Sequence, residues 1–450
     1  MTGPSTAGDR GDVQAAVSRW ASPVVMGAIL GVTLLLALVP KLLCLDELAA
    51  GEPERHWCFS DLKALYDRRG FDVRAVPYAD PPAGYSVEYV FEYPPGIALP
   101  AYGLARLADT ALEFFALNAA TLLLCAVAVA WALDRALIAL GRPRQRLLLY
   151  VASPTLVVFA LHTWDLWSLG PAAAGLAAAA SGRRRLAGGL FGLGAAVKWW
   201  PALLIVLLLF GPWAGRDRNG GRWGWDRIAP AAIAAATWAA VQVPALLVSP
   251  SNWWESMAVH LRRPPNTDGF FGVVAWMGRS IAPSSLWGEP FTRAIGVLGA
   301  AALLAGVAYI AWRLDNATLS PGDAGLGLVT VLLLTSKVVS PQFVLWLLPV
   351  AVISTTPWSR LLAVEIPNVG VWFALAGQVF SLGLYRPLAI GRTVALAWML
   401  FATLRRRSGT DVLRPRARQG RRAPTAAADR APADRTTARA DRKGARPCAS

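Results

Sequence analysis

Long apolar segments recur along the chain between Pro23 and Met399, separated by short polar stretches. A helix needs about 20 apolar residues to cross a bilayer, and continuous apolar runs favour helices over the alternating pattern of a membrane barrel. The pattern therefore predicts an all-α fold, a transmembrane bundle of about twelve helices. The predicted spans are 22–40, 111–133, 147–162, 164–181, 186–197, 199–213, 228–248, 293–312, 325–339, 341–356, 361–381 and 388–404.

Arginine clusters set the predicted orientation of these spans. Cytoplasmic loops of membrane proteins are enriched in Lys and Arg, and with twelve spans and both termini inside, every cluster falls on one side. The apolar segment 96–108, interrupted by Pro100 and Arg106, is predicted to lie at the interface, because a further span would invert the later clusters. The clusters are Arg135, Arg142, Arg144 and Arg146; 183–185; Arg216, Arg218, Arg222 and Arg227; and 405–407.

This orientation divides the chain into three parts. Residues 1–21 form a cytoplasmic N-terminus, residues 22–404 the transmembrane domain, and residues 405–450 a basic, disordered cytoplasmic tail. Two long loops, 41–110 and 249–292, then lie on the external face of the plasma membrane. Ionisable residues at the membrane edge of this face are functional candidates, because their burial costs free energy.

Composition agrees with a membrane protein, and the excess of positive charge is concentrated at one end of the chain. The chain is 55% hydrophobic and 16% charged, whereas soluble domains have about a quarter charged residues. The net charge is +16, and the segment 405–450 contributes 14 Lys and Arg against 4 Asp. We therefore expect this tail to bind anionic headgroups of the lipid bilayer, with no nucleic acid as partner. Cys44 and Cys58 lie in one external loop, where a disulfide and two free thiols are both compatible with the sequence.

The first external loop contains the candidate general base, Asp61. Ser60 precedes it and would cap a short helix, in which Leu62, Leu65 and Tyr66 form an apolar stripe. A carboxylate held at a bilayer surface can take a proton from a hydroxyl group. Helix capping alone is the alternative role for Asp61.

Two further segments bring acidic and aromatic residues to the external face. Glu88 and Glu92 alternate with aromatic residues and are candidates for acid–base catalysis or for contact with sugar hydroxyls. Tyr93 could contact the face of a sugar or lie in the aromatic belt at the headgroups. His162 and Asp165 lie between two predicted spans. An interfacial histidine and a helix cap are the alternatives to substrate contact there.

A lysine close to a proline occurs at two predicted external helix junctions, at Lys198 and Lys337. An ammonium group at a helix break suits a phosphate, and two such corners can clamp a lipid phosphate. Snorkelling at the interface is the alternative. The neighbouring candidates for substrate binding are Trp199, Arg262, Ser340 and Gln342.

Taken in order, these motifs resemble the polytopic glycosyltransferases of the GT-C class, which use polyprenyl-phosphate sugars, and most closely their bacterial α-mannosyltransferase-like branch. The resemblance covers about residues 20–400. The motifs are Ser60-Asp61-Leu62 with Tyr66, Tyr93-Pro94-Pro95, Trp164-Asp165, Lys198-Trp199-Trp200-Pro201, and Lys337 with Ser340-Pro341-Gln342, Trp346 and Pro349.

The resemblance implies a membrane hexosyltransferase that moves a sugar, mannose in the nearest branch, from a polyprenyl-phosphate donor to a glycolipid or glycan acceptor. Asp61 would activate the acceptor hydroxyl, and attack from the opposite face would invert the anomeric carbon. No tightly bound cofactor is implied, and use of a divalent metal stays open. The same loop also contains Asp67, Asp72 and Asp80, which are alternative carboxylates.

Two other functions remain compatible with the sequence. A transporter or flippase of lipid-linked sugars predicts inverted repeats and ionisable groups near the midplane, whereas the polar residues here cluster on one face. An inactive scaffold of the cell envelope would use the basic tail to bind partners. Motifs for nucleotide hydrolysis and for soluble hydrolases are absent from the sequence.

Overall fold

The computed structural model describes residues 21–44, 58–81, 91–215, 224–281, 283–375 and 382–405. Within these ranges the regular structure is helical throughout, so the all-α prediction is confirmed. The predicted N-terminal segment and the basic tail fall almost entirely outside the described residues.

Seventeen α-helices occur in the described ranges, joined by turns and short 3-10 helices. The α-helices are α1 (Pro23–Leu42), α2 (Asp61–Arg68), α3 (Pro95–Ala105), α4 (Ala111–Ala139), α5 (Leu148–Val151), α6 (Pro154–Phe159), α7 (Asp165–Ala180), α8 (Arg184–Val197), α9 (Val206–Leu209), α10 (Trp225–Val248), α11 (Pro250–Arg262), α12 (Phe270–Gly278), α13 (Glu289–Asp315), α14 (Pro321–Thr335), α15 (Leu347–Ile353), α16 (Trp358–Leu375) and α17 (Leu382–Arg405). The 3-10 helices are Arg144–Leu147, Trp200–Ile205, Gly211–Trp213, Ser284–Trp287 and Pro341–Trp346.

Five helices of the described chain, α1, α4, α10, α13 and α17, are long and apolar enough to cross a membrane. Each coincides with a predicted span. The other seven predicted spans coincide with helices that are shorter, interrupted or less apolar. Several such helices are typical of a membrane protein, and the arrangement of twelve spans stays a prediction.

Polar residues that interrupt the apolar runs mark the helix ends. Thr110 and Glu113 form a capping box at the start of α4: Glu113 N donates to Thr110 Oγ1 at 3.2 Å, and Thr110 N donates to Glu113 Oε2 at 3.2 Å. Ser22 and Ser320 also cap helices, α1 and α14: the hydroxyl of each serine accepts a backbone N–H of the first turn, and a proline follows each serine. These side chains satisfy backbone N–H groups that the first helical turn leaves without partners.

The segment predicted to be interfacial forms α3, an eleven-residue helix. One face of α3, with Ile97, Ala98 and Ala101, is buried. Its first turn contacts the end of α8, where a Cβ on Gly96 would lie 2.4 Å from the Ala196 carbonyl oxygen. Helix α3, near the end of the 41–110 segment, therefore packs onto the bundle.

Arginines of the predicted cytoplasmic clusters close the C-terminal ends of neighbouring helices. Arg146 donates to the carbonyl oxygens of Ala351 and Val352 in the last turn of α15, at 2.8 and 2.7 Å. Arg184 donates in the same way to Leu208 O at the end of α9, at 3.0 Å. The last carbonyls of a helix lack i+4 partners, and the guanidinium N–H groups bind them here. Ala351 O also accepts from the C-cap residue, Ser354, through its N–H at 3.2 Å and its hydroxyl at 2.9 Å.

A disulfide joins Cys44 to Cys58, with 5.7 Å between their Cα atoms. Both cysteines are buried, and the bond ties the end of α1 to the residues just before α2. Disulfides persist in oxidising compartments outside the cytosol, so the bond supports an external position for this loop.

Glycines allow α8 and α10 to approach closely. A Cβ on Gly188 would lie 2.1 Å from Pro230 O, and a Cβ on Gly192 would lie 2.2 Å from Ala234 O. Small residues four positions apart are the usual means of close helix contact in membranes. A Cβ on Gly189, on the same helix, would lie 3.6 Å from its nearest neighbour, Ile233 Cγ2, so this position has room for a methyl group.

We predict that Gly192→Ala lowers the free energy of unfolding by about 1–3 kcal/mol, because the added methyl group collides with a backbone carbonyl that cannot move independently. Gly189→Ala is the matched control and should change stability by less than about 1 kcal/mol, in the stabilising direction. Thermal unfolding of both variants in detergent measures the difference. Equal effects would show that the α8–α10 contact is not as close as described.

Candidate active site at the external loop

A buried carboxylate organises the centre of the site. Asp165 is the first residue of α7, and its side chain is 1% exposed. Its Oδ1 accepts hydrogen bonds from Lys198 Nζ and from Trp346 Nε1, both at 2.8 Å, and its Oδ2 accepts one from Thr163 Oγ1. Residues far apart in sequence are thereby held together, with every contact charge-assisted.

Aromatic rings surround the ammonium group of Lys198, which follows the last residue of α8. Lys198 Nζ lies 5.3 Å from the Phe343 ring centre and 5.9 Å from that of Trp346. Phe343 and Trp346 are themselves stacked, 4.1 Å apart. An ammonium has three N–H donors, and Asp165 uses one of them. The remaining donors can bind an anion at the 14% of this side chain that is exposed.

Helix α2 docks onto the turn between α6 and α7. Asp61 N donates to His162 O at 3.0 Å, and Ser60 Oγ donates to Leu161 O at 2.9 Å. The predicted cap is therefore wrong in one respect: Ser60 occupies the N-cap position, but its hydroxyl bonds the α6–α7 turn instead of capping α2. Tertiary contact with a free carbonyl replaces the local capping bond.

The apolar stripe predicted for α2 is confirmed. Leu62, Leu65 and Tyr66 are buried, and the Tyr66 ring lies 5.2 Å from that of Phe114 on α4. This packing fixes α2 with its first residue directed at the α6–α7 turn.

The carboxylate of Asp61 is half-buried and makes no hydrogen bond or ion pair within the described part of the chain. Burial raises the pKa of Asp61 to about 6; Lys198 and Arg263 lower it, while Asp165 and Glu92 raise it further. Asp61 thus faces the lysine and carboxylates described above. The other aspartates of the loop, Asp67, Asp72 and Asp80, are exposed.

Glu92 and Tyr93 lie in the extended residues before α3. Glu92 forms a two-bond ion pair with Arg69, at 2.6 and 2.7 Å, and its backbone oxygen lies 2.9 Å from His260 Nε2. The Tyr93 ring meets that of Trp164 edge-on at 5.1 Å. Burial, with Asp61 nearby, raises the pKa of Tyr93 well above its ordinary value, and its hydroxyl has no hydrogen-bond partner among the described residues. Glu88 lies outside the described residues.

His162 is enclosed by aromatic rings. Its imidazole lies 4.5 Å from the Trp372 ring, 5.3 Å from Phe59 and 5.7 Å from Phe159. The residue is 4% exposed. Its contribution to the site is the backbone carbonyl that accepts the bond from Asp61 N.

Lys337 and Ser340 contact the residues at and just after the end of α11. Lys337 Nζ donates to Leu261 O, Lys337 O accepts from Asn266 N at 3.1 Å, and Asn266 Nδ2 donates to Ser340 Oγ at 3.4 Å. No described contact joins Lys337 to Asp61 directly. The two are linked through the segment that carries Arg263, a charged neighbour of Asp61.

The remaining candidates occupy three different surroundings. Gln342 is buried, and its amide has no hydrogen-bond partner in the described ranges. Arg262 is exposed and pairs with Glu255. Trp199 is 54% exposed and lies beside Trp238 at 5.4 Å.

Sequence reasoning missed two members of this network. Thr163 holds the second oxygen of Asp165. Asn118, in the third turn of α4, accepts a bond from Trp164 Nε1 at 2.7 Å and so fixes the residue before Asp165. Burying an amide inside an apolar helix costs free energy unless the amide is hydrogen-bonded. The position of Asn118 within an apolar run could therefore have indicated that it has a structural or functional partner.

No group of three or more metal-ligating side chains occurs in the part of the chain that the structure describes.

Ionisable residues in an apolar helical fold are functional candidates, and here Asp165 and Lys198 are paired among aromatic rings, with Asp61 in electrostatic reach. The model of glycosyltransferase family 87 matches residues 91–341, which is more than half of the chain. The chain belongs to glycosyltransferase family 87 and is a glycosyltransferase. No curated protein matches it. The matched range begins after Asp61, so the role of this residue rests on the geometry alone.

We predict that Asp165→Asn lowers the free energy of unfolding by about 3 kcal/mol or more, because it leaves the Lys198 ammonium without its buried counter-charge. The matched control is Asp109→Asn. Asp109 pairs with Arg74 at an exposed site, where the side chains are 82% and 45% exposed, and such pairs contribute less than about 1 kcal/mol. Thermal unfolding in detergent compares the two variants, and equal losses would contradict the central role of Asp165.

Proposed function

We propose that the protein transfers a hexose, specifically mannose, from a polyprenyl-phosphate donor to a hydroxyl group of a lipid-linked or envelope glycan acceptor, with inversion. The observation that carries this proposal is the half-buried Asp61 carboxylate, which has no hydrogen-bond or ion-pair partner among the described residues and lies within electrostatic reach of the Lys198 ammonium. Membership of a glycosyltransferase family supports the reaction class. The donor, the sugar and the stereochemistry are the proposed part.

The step requires a base, a nucleophile and a leaving group. The ionised Asp61 oxygen takes the proton of the acceptor hydroxyl as that oxygen attacks the anomeric carbon of the donor sugar. The bond from the anomeric carbon to the phosphate oxygen breaks, and its electron pair leaves with the polyprenyl phosphate. A single displacement of this kind inverts the configuration at the anomeric carbon.

Lysines provide the charge for the leaving phosphate. The N–H groups of Lys198 that do not bind Asp165 are available to the phosphate oxygens, and their fixed position makes this interaction effective as charge develops. Lys337 supplies a second cation from the neighbouring corner. In this scheme Asp165 is a positioning residue, since it holds Lys198 and does not touch substrate.

The sugar hydroxyls need neutral and acidic partners. The hydroxyl of Tyr93 and the amide of Gln342, which have no hydrogen-bond partner among the described residues, are suited to hydrogen bonds with sugar hydroxyls. Glu92, held by Arg69, and Ser340 are further partners, as is Glu88 from the sequence. Trp199 offers a ring face to the lipid or to the sugar, and Arg262 contributes a further cation. His162 supports the site through its backbone carbonyl, which binds Asp61 N.

The reaction is proposed to occur at the external face of the plasma membrane. The disulfide between Cys44 and Cys58 supports this side for the loop that contains Asp61, because thiols stay reduced in the cytosol. The distribution of arginines in the sequence supports the same orientation. No tightly bound cofactor takes part in this scheme.

We predict that Asp61→Asn lowers the rate of hexose transfer by about 10²–10⁴-fold, because the amide cannot accept the proton. Fold and donor binding should be retained, since the carboxylate has no partner in the described structure. Asp67→Asn, on the exposed side of the same helix, is the matched control and should stay near the wild-type rate. The assay follows labelled mannose from a polyprenyl phosphate into membrane lipids.

The proposal fails in distinct ways. Full activity of Asp61→Asn would remove this residue as the base, and loss of activity in Asp67→Asn instead would transfer the role to that carboxylate. Absence of transfer from every polyprenyl-phosphate sugar offered would overturn the proposed donor.

The pH dependence gives an independent prediction. A base acts only when ionised, so transfer should fall below pH 6 and level off above it, since the pKa of Asp61 is raised to about 6. For an aspartate exposed to water, the transition would occur at about pH 4. The pH profile of the rate at saturating donor measures it, and the residual activity of Asp61→Asn should lack the transition. An inflection at the ordinary value would contradict the burial of the base.

A further inference from the structure

The end of α1 is fastened to the residues that lead into the candidate base, Asp61. Cys44, two residues past the end of α1, forms the disulfide with Cys58. Lys41, in the last turn of α1, donates from its Nζ to the backbone oxygen of Phe59. All three side chains of α1 and the disulfide that make these contacts are buried. One covalent and one charge-assisted contact therefore hold consecutive residues close to the start of α2.

The next two residues are held by a different element. Ser60 Oγ and Asp61 N donate to backbone carbonyls of the α6–α7 turn, at 2.9 and 3.0 Å. The ring of Phe59 contacts those of His162 and Trp372, with 5.3 and 5.8 Å between ring centres. Four consecutive residues that end at Asp61 are thus fixed by tertiary contacts.

This anchoring stops at the backbone of Asp61. The carboxylate has no hydrogen-bond or ion-pair partner among the described residues, so its place is set chiefly by the backbone that carries it. A general base must lie within about 3 Å of the proton that it removes, and a displacement of about 1 Å can lower a rate about 100-fold. The contacts made by the preceding residues therefore decide whether Asp61 reaches its substrate.

Helix α2 needs this support. It has eight residues, and isolated helices of this length are marginal in water. Its apolar face packs on α4 through Tyr66 and Phe114, which holds the helix along one side. The contacts with α1 act at its first turn, the end that carries Asp61.

We propose that the Cys44–Cys58 disulfide and Lys41 position the catalytic base, and that they raise the rate of sugar transfer without taking part in donor binding. This inference rests on the proposed function, since they act through Asp61 and touch no substrate. Disulfides form outside the cytosol, so the loop reaches full activity only on the face where the lipid-linked sugar is presented. A chain with two thiols folds its bundle and transfers slowly.

Cys44→Ser with Cys58→Ser tests the covalent contact. We expect kcat to fall at least about tenfold, while KM for the polyprenyl-phosphate sugar stays within about twofold, because the base moves and Lys198 does not. Cys125→Ser with Cys448→Ser is the matched control. It removes the other two cysteines of the chain and should keep wild-type values. Steady-state transfer of labelled mannose by the full-length protein in detergent measures both.

Lys41 gives a second variant, in which the disulfide is intact. Lys41→Met removes the donor to Phe59 O and should lower kcat at least about threefold, again with little change in KM. Lys41→Arg restores an N–H donor and should recover most of the rate. Thermal unfolding reports whether each variant is folded, and Lys41→Met decides the question if the cysteine variant is not.

The pH profile separates positioning from general stabilisation. Burial raises the pKa of Asp61 to about 6. Without the disulfide α2 is held less tightly and Asp61 gains contact with water, so the pH below which transfer falls should move from about 6 toward about 4. A loss of stability alone would lower the amount of active enzyme and leave this pH unchanged. The charged neighbours of Asp61 lie on other elements and are the same in both proteins: Lys198, Asp165, Glu92 and Arg263.

A double-mutant comparison ties the effect to Asp61. In the Asp61→Asn protein, loss of the disulfide should lower the residual rate less than about twofold, because no base remains to be misplaced. A further tenfold loss there would overturn the inference, as would a pH transition that stays at about 6. Unchanged kcat in the folded protein without the disulfide, or in Lys41→Met if that protein does not fold, would also overturn it. Full activity of Asp61→Asn alone would instead overturn the proposed function.

Discussion

The ion pair between Asp165 and Lys198 is the interaction on which the site depends. Taken singly, a buried carboxylate and a mostly buried ammonium are both unfavourable. Together with the indole of Trp346 and the hydroxyl of Thr163, they satisfy one another and join the α6–α7 turn to the end of α8 and to a 3-10 helix late in the chain. The pair therefore fixes the relative position of residues that are up to 181 positions apart.

The loop that contains Asp61 packs against the elements that the Asp165–Lys198 pair holds together, but the Asp61 carboxylate does not hydrogen-bond to that pair. Helix α2 rests on the α6–α7 turn through two bonds to backbone carbonyls and on α4 through its apolar face. The carboxylate of Asp61 itself has no partner in the part of the chain that the structure describes, in contrast to Asp165, which influences it electrostatically. Two aspartates in one site thus have different surroundings, and such differences commonly separate a group that reacts from a group that supports.

Much of the fold could be predicted from the sequence, and less of the site. Continuous apolar runs predict helices reliably, and α1, α4, α10, α13 and α17 follow their predicted spans. The bounds of the shorter helices were harder to predict. Tertiary contacts determine where the chain breaks, as around Pro154 and Pro201, and the hydrophobic pattern of the sequence gives no information about those contacts. The same limit explains Ser60: its sequence position gives a cap, but the free carbonyl of Leu161 lies 101 residues later and offers a better partner. Asp165 and Lys198 could be named as candidates from their positions at helix junctions, yet their pairing with each other, and with Trp346, needed the fold.

The arginines that close the ends of α9 and α15 have a consequence for biogenesis. A positive charge near a span decides which way the span enters the membrane, and any cation can do this. Capping two or three carbonyls at once requires the planar guanidinium group with its several N–H donors. In the predicted orientation the same residues do both, so insertion and final folding would depend on one set of side chains. Lysine in place of Arg146 would preserve the charge that favours this orientation while removing the N–H donors that bind Val352 O and Ala351 O, so that Ser354 alone would cap the Ala351 carbonyl.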